Sequence, residues 1–318
     1  MLKSIAVDLP STPGSVNLPE ITKMTDLDET KLGATSRSAV SRVAVWTLAV
    51  LGFLLALLYY RVAFKLVKDW YNFPDNSHGL LIPFFVLFLL WDKREKLMAT
   101  TVKPSWAGIA LVLPGLLMLL VGVFGADLFL SRLSFVVLTG GLILTLLGRA
   151  ALRQTKFVLF VCLLAIPLPT VILNQITFPL QLLASRVASS LLPLAGVPVL
   201  REGNVIQLPA IQLEVAEACS GIRSLMSLFA VAIIYGYFIE RGVGRRTVLA
   251  LASIPIAVTA NAARIFGTGL CVQYWDPDKA LGFFHEFSGW LMFIVSLSCL
   301  YLVHIVMQVV GKKWEARA

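Results

Sequence analysis

Charged residues are scarce in this sequence. Asp, Glu, Lys and Arg make up 14% of its 318 residues, whereas soluble domains carry about 25%. Hydrophobic residues make up 58%, and several apolar runs exceed the roughly 18 residues that cross a bilayer. This composition excludes an ordinary soluble protein and predicts an all-α, polytopic protein embedded in a lipid bilayer. In such a chain the net charge of +9 reflects membrane orientation rather than nucleic-acid binding.

Cysteine and histidine are scarce as well. The four cysteines lie far apart without a CxxC pair, which argues against a disulfide framework and against a thiol oxidoreductase. The three histidines have no metal-ligand spacing, so neither a metal nor an organic cofactor is expected. The HExxH pattern of metalloproteases is absent, since the His285-Glu286 pair has no second histidine after it.

The chain divides into three predicted regions. Residues 1–40 are polar, rich in Pro and Ser, and without the apolar core of a signal peptide, which predicts a disordered cytoplasmic tail. Residues 41–311 form the predicted transmembrane domain, and residues 312–318 form a basic cytoplasmic tail.

About eight transmembrane helices are predicted. The segments are 43–63, 79–91, 106–126, 128–148, 156–174, 220–240, 246–271 and 284–310. Clusters of Lys and Arg fall at every second boundary, as eight spans with both termini in the cytoplasm require. The first outer loop is an exception because it carries Arg61, Lys65 and Lys68. Segment 176–195 contains Arg186 and several polar residues, which predicts an amphipathic helix at the interface.

A short β-hairpin is predicted before the sixth span. Segment 196–218 alternates apolar and polar residues, with Glu202-Gly203-Asn204 as the turn. The hairpin would lie on the outer surface of the membrane and lead directly into Cys219. The simpler alternative for this segment is an ordinary loop.

Three reactive side chains lie at similar depth in the last three spans. Cys219, Arg264 and His285 are each separated by about 27–40 Å of helix from the basic cluster at the cytoplasmic end of their span. All three are therefore expected near the outer face, on helices that are neighbours in sequence and so in space.

This combination suits nucleophilic acyl transfer. A thiolate at Cys219 would attack a carbonyl and form a thioester, and its pKa would be lowered by the N-terminus of the sixth helix. Arg264 would stabilise the oxyanion, and His285 would protonate the leaving amine. Each residue also has a structural interpretation: Cys219 in packing or in a disulfide with Cys271, Arg264 in an ion pair, and His285 as an interfacial residue.

Six further residues are candidates for binding or supporting roles. Glu217 precedes the cysteine and would order the site, while Arg223 and Asn261 lie one helical turn from Cys219 and Arg264. Ser220 and Gly221 would allow a backbone bend and close approach of the substrate, and His78 would approach from the second span. Surface carboxylate and snorkelling roles remain open for Glu217 and Arg223.

These motifs resemble those of the exosortase/archaeosortase family of membrane cysteine transpeptidases. The resemblance is carried by Cys219-Ser220-Gly221-Ile222, by Asn261-Ala262-Ala263-Arg264-Ile265, and by His285 with Gly289 four residues later. Asn76-Ser77-His78-Gly79 and the run from Pro167 to Val215 are also similar. His285 favours a bacterial exosortase, since the archaeal relatives tend to have Arg at that position.

The resemblance implies a function. Exosortases are thought to recognise exported proteins with a C-terminal sorting signal, namely a short motif such as Pro-Glu-Pro, one transmembrane helix and a basic cluster. It implies cleavage near the motif with Cys219 as nucleophile, Arg264 as transition-state stabiliser and His285 as acid and base, followed by transfer to an acceptor. The oligomeric state is left open. A transporter or a structural assembly factor for polysaccharide export is the alternative, although a transporter would place its charges near the bilayer midplane.

Overall fold

The computed structural model describes residues 46–47, 49–214, 221–275 and 283–315, and only the backbone of 221–222, 283–286 and 313–315. The chain divides into two compact units, Met1–Tyr60 and Arg61–Ala318. In the first unit the described residues are helical. The predicted N-terminal tail, residues 1–40, lies outside the described residues.

Ten α-helices and three short strands make up the regular structure of the described residues. The helices are α1 Ala49–Asn72, α2 Ile82–Asp92, α3 Arg94–Met98, α4 Ile109–Phe124, α5 Leu128–Leu146, α6 Arg149–Leu164, α7 Thr170–Leu191, α8 Gly221–Ile239, α9 Val243–Tyr274 and α10 Phe283–Glu315. Short 3₁₀ helices cover Pro74–Leu80, Trp106–Gly108 and Leu192–Ala195.

Six helices of the described part are long and apolar enough to cross a membrane. They are Ala49–Asn72, Trp106–Phe124, Leu128–Leu146, Thr170–Ala195, Val243–Tyr274 and Phe287–Lys312. A multi-pass membrane protein is therefore confirmed, but eight spans are not. The helix in segment 79–91, α2, has only 11 residues. Segment 156–174 is not a single helix, because α6 ends at Leu164 and α7 begins at Thr170, with prolines 167 and 169 between them. The apolar stretch of α8, Arg223–Ile239, is also shorter than a full span.

Helix α1 continues beyond the predicted end of the first span at residue 63. It runs to Asn72, so Arg61, Lys65 and Lys68 lie on helical backbone rather than in a loop. The three basic residues that did not fit the predicted charge pattern therefore lie in the last turns of a long helix.

Helix α7 differs from the predicted interfacial helix. Several of its polar residues are buried in the protein and most of its exposed residues are apolar, unlike a helix whose polar face lies in water. The buried polar residues are Thr177, Gln181 and Ser185, and the exposed apolar ones include Ile176, Phe178, Leu183 and Val187. A buried polar side is typical of a bundle in lipid, where the surroundings are apolar.

Glycines at a spacing of seven residues join α4 to α5. A Cβ atom at Gly108, Gly115 or Gly122 would come within 2.1–3.0 Å of atoms of Thr145, Leu138 or Ser131. Each glycine therefore allows the backbones to approach more closely than any other residue would permit. Asp127 caps the start of α5 by accepting a hydrogen bond from the Leu130 amide at 2.9 Å.

The predicted hairpin is confirmed and extended by a third strand. Strands β1 Leu200–Glu202, β2 Val205–Gln207 and β3 Gln212–Glu214 form one antiparallel sheet. Gly203 has a φ of 65° in the two-residue turn, a conformation that favours glycine. Ile206 and Leu213 share a buried core cluster with residues of α7 and α9, so the sheet is fixed to the helices that precede and follow it.

Candidate active site

Arg264 is the best-defined residue of the predicted site. It lies on α9 and is buried, with 9% of its surface exposed. Its Nε donates a hydrogen bond to Oγ of Ser288 on α10, at 3.3 Å. A Cβ atom at Gly289 would lie 3.2 Å from Nη2 of Arg264, so the glycine makes room for the guanidinium. The side chain therefore extends from α9 onto α10.

His285 lies one helical turn before the residues that contact Arg264. It precedes Ser288 by three positions and Gly289 by four on α10, and residues at these spacings share one face of a helix. The side chain of His285 lies outside the described part, so its predicted role in acid and base chemistry stays a prediction.

Cys219 lies outside the described residues, as do Glu217 and Ser220. The described chain resumes at Gly221, which is the first residue of α8. Helices α8, α9 and α10 share a buried cluster of Leu228, Ala232, Leu249, Ala257 and Leu300. The prediction that the last three helices are neighbours is confirmed.

Arg223 faces the 3₁₀ helix Pro74–Leu80. Its Nε lies 3.9 Å from Oδ1 of Asp75, and both side chains are partly exposed. An ion pair of this kind contributes about 0–1 kcal/mol, so its main effect is to set the orientation of Arg223. Asp75 was not a predicted site residue, although it immediately precedes the Asn76-Ser77-His78-Gly79 motif.

His78 helps to attach this 3₁₀ helix to the end of α6. Its Nε2 donates to the carbonyl of Leu164 at 3.2 Å, and Nε1 of Trp70 donates to the carbonyl of Ala165 at 2.8 Å. The last carbonyls of a helix have no partner within it, so both side chains cap α6. Burial lowers the pKa of the His78 imidazole, and hydrogen bonds to backbone carbonyls oppose this effect in part.

A buried ion pair between α1 and α5 was not predicted from the sequence. Arg132, near the start of α5, is hydrogen-bonded to Asp69 of α1, and its side chain is 3% exposed. An arginine a few residues inside an apolar segment normally has such a partner. The position of Arg132 in an apolar segment therefore indicates a buried partner. The sequence alone does not show that this partner is Asp69, because that depends on how α1 packs against α5.

A small cleft, with room for about one water molecule, lies between α7, α8 and α9. Its polar lining consists of Thr177, Gln181 and Asn261. Asn261 is one turn before Arg264 and 8% exposed. Asn261 was predicted from its spacing to Arg264, whereas Thr177 and Gln181 were assigned to the interfacial helix.

Two features of the described residues bear on the chemistry of the site. No group of three or more His, Cys, Asp and Glu residues among them could hold a metal ion. Cys271 is a free thiol, so the alternative of a disulfide between Cys271 and Cys219 is not found.

Fold and site together define a multi-pass helical membrane protein with a buried arginine between its last two helices. A family model described as transmembrane exosortase matches residues 70–302, well over half of the chain. The chain therefore belongs to the exosortase family. No curated protein and no solved structure matches it.

Proposed function

We infer that this exosortase is a membrane cysteine transpeptidase that cleaves C-terminal sorting signals through a thioester on Cys219. The observation that supports this most is the contact of Arg264 with Ser288 and Gly289. It brings a buried guanidinium from α9 to α10, one turn from His285. Helix α8, which begins two residues after Cys219, packs against both of these helices.

The chemistry follows from the three side chains. The Cys219 thiolate attacks a peptide carbonyl, and a new C–S bond forms as the carbonyl oxygen takes the negative charge. Arg264 stabilises this oxyanion. The C–N bond then breaks, and protonated His285 gives its proton to the leaving amine. An acceptor nucleophile, deprotonated by His285, attacks the thioester, and the C–S bond breaks to restore the Cys219 thiolate and protonated His285.

The proposed substrates are exported proteins that end in a short motif such as Pro-Glu-Pro, one transmembrane helix and a basic cluster. Cleavage would take place on the outer face of the bacterial cytoplasmic membrane, with both termini of the enzyme in the cytoplasm. The basic clusters at alternate boundaries support this orientation. Transfer to an acceptor would connect the enzyme to protein sorting and to surface polysaccharide export.

A client-processing assay tests this function. A reporter with a Pro-Glu-Pro motif, an apolar helix and a basic tail is coexpressed with the protein, and its size is followed on a gel. We expect the unchanged protein to shorten the reporter, and Cys219→Ala and Cys219→Ser to leave it intact. Cys271→Ala is the matched control, because it removes a free thiol from α9. Full processing by both Cys219 variants would refute the thioester mechanism.

A further inference from the structure

Arg223 carries a partly exposed charge close to the proposed nucleophile. Among the described residues its ionic partner is Asp75, and the 3.9 Å between Nε and Oδ1 is too long for a hydrogen bond. A guanidinium has N–H groups on all three nitrogens, and those of Arg223 donate no hydrogen bond within the described part of the chain. The side chain therefore keeps its hydrogen-bonding capacity for another acceptor.

The carboxylate beside Arg223 belongs to a well-anchored segment. Asp75 lies in the first turn of the 3₁₀ helix Pro74–Leu80, which packs against α8 and is attached to α6 by the hydrogen bond of His78. The Asp75 carboxylate approaches the Nε side of the guanidinium. It therefore holds Arg223 over the contact between α8 and the 3₁₀ helix, and leaves the edge formed by Nη1 and Nη2 available.

Arg223 is also close to Cys219 along the chain. It follows Cys219 by four residues, which span at most about 14 Å even when fully extended. The stretch is shorter than this limit because α8 begins at Gly221. An extended client rises about 3.3 Å per residue. A client group bound by Arg223 therefore lies within about four residues of the bond that Cys219 attacks.

A carboxylate is the client group that suits this position best. The Nη1 and Nη2 edge of an arginine can donate two parallel hydrogen bonds to the two oxygens of a carboxylate. A neutral amide accepts fewer and weaker bonds, and a cation is repelled. A lipid phosphate has similar acceptors, but a headgroup would draw the side chain out along the membrane interface. The ion pair with Asp75 holds it over the 3₁₀ helix instead.

We propose that Arg223 recognises a carboxylate side chain of the client close to the bond that is cleaved. This inference rests on the proposed function and makes Arg223 a specificity-determining residue. In a Pro-Glu-Pro motif the glutamate supplies the carboxylate, which accepts hydrogen bonds from Nη1 and Nη2 while Nε stays near Asp75. A client without an acidic residue at this place loses the charge-assisted contact and is processed more slowly.

The test compares clients that differ in one side chain. Three reporters carry Pro-Glu-Pro, Pro-Gln-Pro or Pro-Lys-Pro before the same helix and basic tail, and their initial rates of processing are measured in membranes. We expect the unchanged protein to process the Glu client about tenfold faster than the Gln client. Arg223→Gln processes these two clients at equal rates, because the pair is already broken. Arg223→Glu places a second carboxylate beside Asp75 and processes the Lys client fastest.

Ratios of rates separate recognition from a structural role. A variant that merely folds less well processes all three clients more slowly and leaves the ratios unchanged. Arg186→Gln is the matched control, because it removes an exposed arginine from α7, and it retains the tenfold preference for the Glu client. Arg223→Lys keeps the charge without the planar fork of the guanidinium, so it retains a smaller preference for the Glu client.

The site of cleavage provides a second measurement. The mass of the tail released from the Pro-Glu-Pro client identifies the bond that is broken. We expect this bond within about four residues of the glutamate. A bond more than about eight residues away would lie beyond the combined reach of the two side chains, and would refute the inference while the processing itself supports the function.

The outcomes distinguish this inference from the proposed function. If Arg223→Gln still prefers the Glu client tenfold, another group recognises the carboxylate and the inference is wrong, while the function stands. If the unchanged protein processes all three clients equally, and Arg223→Gln slows them equally, Arg223 serves the fold or a lipid headgroup and the inference is again wrong. If the unchanged protein processes none of the three, the proposed substrate class fails together with the inference.

Discussion

Nδ1 of His304 lies 2.7 Å from Oε1 of Glu240, and both side chains are buried. The pair joins the residue that follows α8 to the C-terminal half of α10. Nε of Arg246 donates to the backbone carbonyl of Glu240 at 2.9 Å, which attaches α9 to the same point. The helices expected to carry the catalytic side chains at one end are thus fixed to each other at the opposite end.

Loss of this pair should lower stability. Glu240→Leu leaves the buried imidazole without its partner, and we expect a loss of about 2 kcal/mol in the free energy of unfolding. Glu240→Gln keeps a hydrogen-bond acceptor and should therefore retain most of the free energy of unfolding that Glu240→Leu loses. Thermal unfolding in detergent measures the effect, with Glu95→Ala as the exposed control. Equal unfolding temperatures for Glu240→Leu and the parent protein would contradict the prediction.

Gly79 should tolerate no side chain. A Cβ atom there would lie 2.2 Å from Nε1 of Trp70, the atom that donates to the Ala165 carbonyl. Gly79→Ala therefore displaces the indole and breaks a cap of α6, with an expected loss of about 1–3 kcal/mol. Gly244→Ala is the matched control, because no atom lies within 4 Å of a Cβ at that position. Equal unfolding temperatures for the two variants would show that the Trp70 contact is unimportant.

Acid should weaken the attachment of the 3₁₀ helix Pro74–Leu80. Burial lowers the pKa of His78 in the folded protein, so the unfolded chain binds a proton at higher pH than the folded chain does. The stability that neutral His78 contributes is present above its ordinary pKa and is lost as the pH falls through the folded pKa. His78→Gln should flatten this part of the profile of unfolding temperature against pH. An unchanged profile would mean that another group titrates there.

Gly289 should control the position of the Arg264 guanidinium. The Cβ of Gly289→Ala would press on Nη2 and Cζ at 3.2 and 3.3 Å, so the guanidinium must shift slightly. We expect roughly tenfold slower reporter processing with the fold intact, since a displacement of about 1 Å can cost about 100-fold. Gly267→Ala on α9, where no atom lies within 4 Å of a Cβ, should process normally. Full activity of Gly289→Ala would mean that this contact does not position Arg264.

Local patterns predicted much of the fold. The turn at Glu202-Gly203-Asn204 was found from β-prone runs on both sides of a glycine, and both strands are present. The span count was less accurate because hydropathy does not show where a proline interrupts a helix or how a short helix is accommodated. The orientation of α7 also could not be read from its amphipathicity. The same pattern suits a polar face in water or a polar face inside a bundle, and only the tertiary contacts of Gln181 and Ser185 distinguish the two.

The site was predictable to the extent that its residues are unusual for a membrane helix. An arginine near the end of an apolar run is costly, which favoured a functional role for Arg264, and Asn261 was identified because it lies one helical turn from Arg264. Thr177 and Gln181 gave no such signal, because a helix taken as interfacial is expected to be polar. The partners of Arg264 and Arg223, namely Ser288 and Asp75, depend on how distant segments pack, and a single sequence does not contain that information.

The close packing of α4 on α5 at Gly108, Gly115 and Gly122, here called the glycine seam, affects how the protein inserts into the membrane. The two helices are adjacent in sequence, only residues 125–127 separate them, and their contact requires nothing from later segments. They can therefore insert and pair as one hairpin while α7 to α10 are still being synthesised. A mutation in the seam, such as Gly122→Leu, would act on biogenesis and lower the amount of protein in the membrane. The molecules that do assemble would retain the turnover of the parent protein.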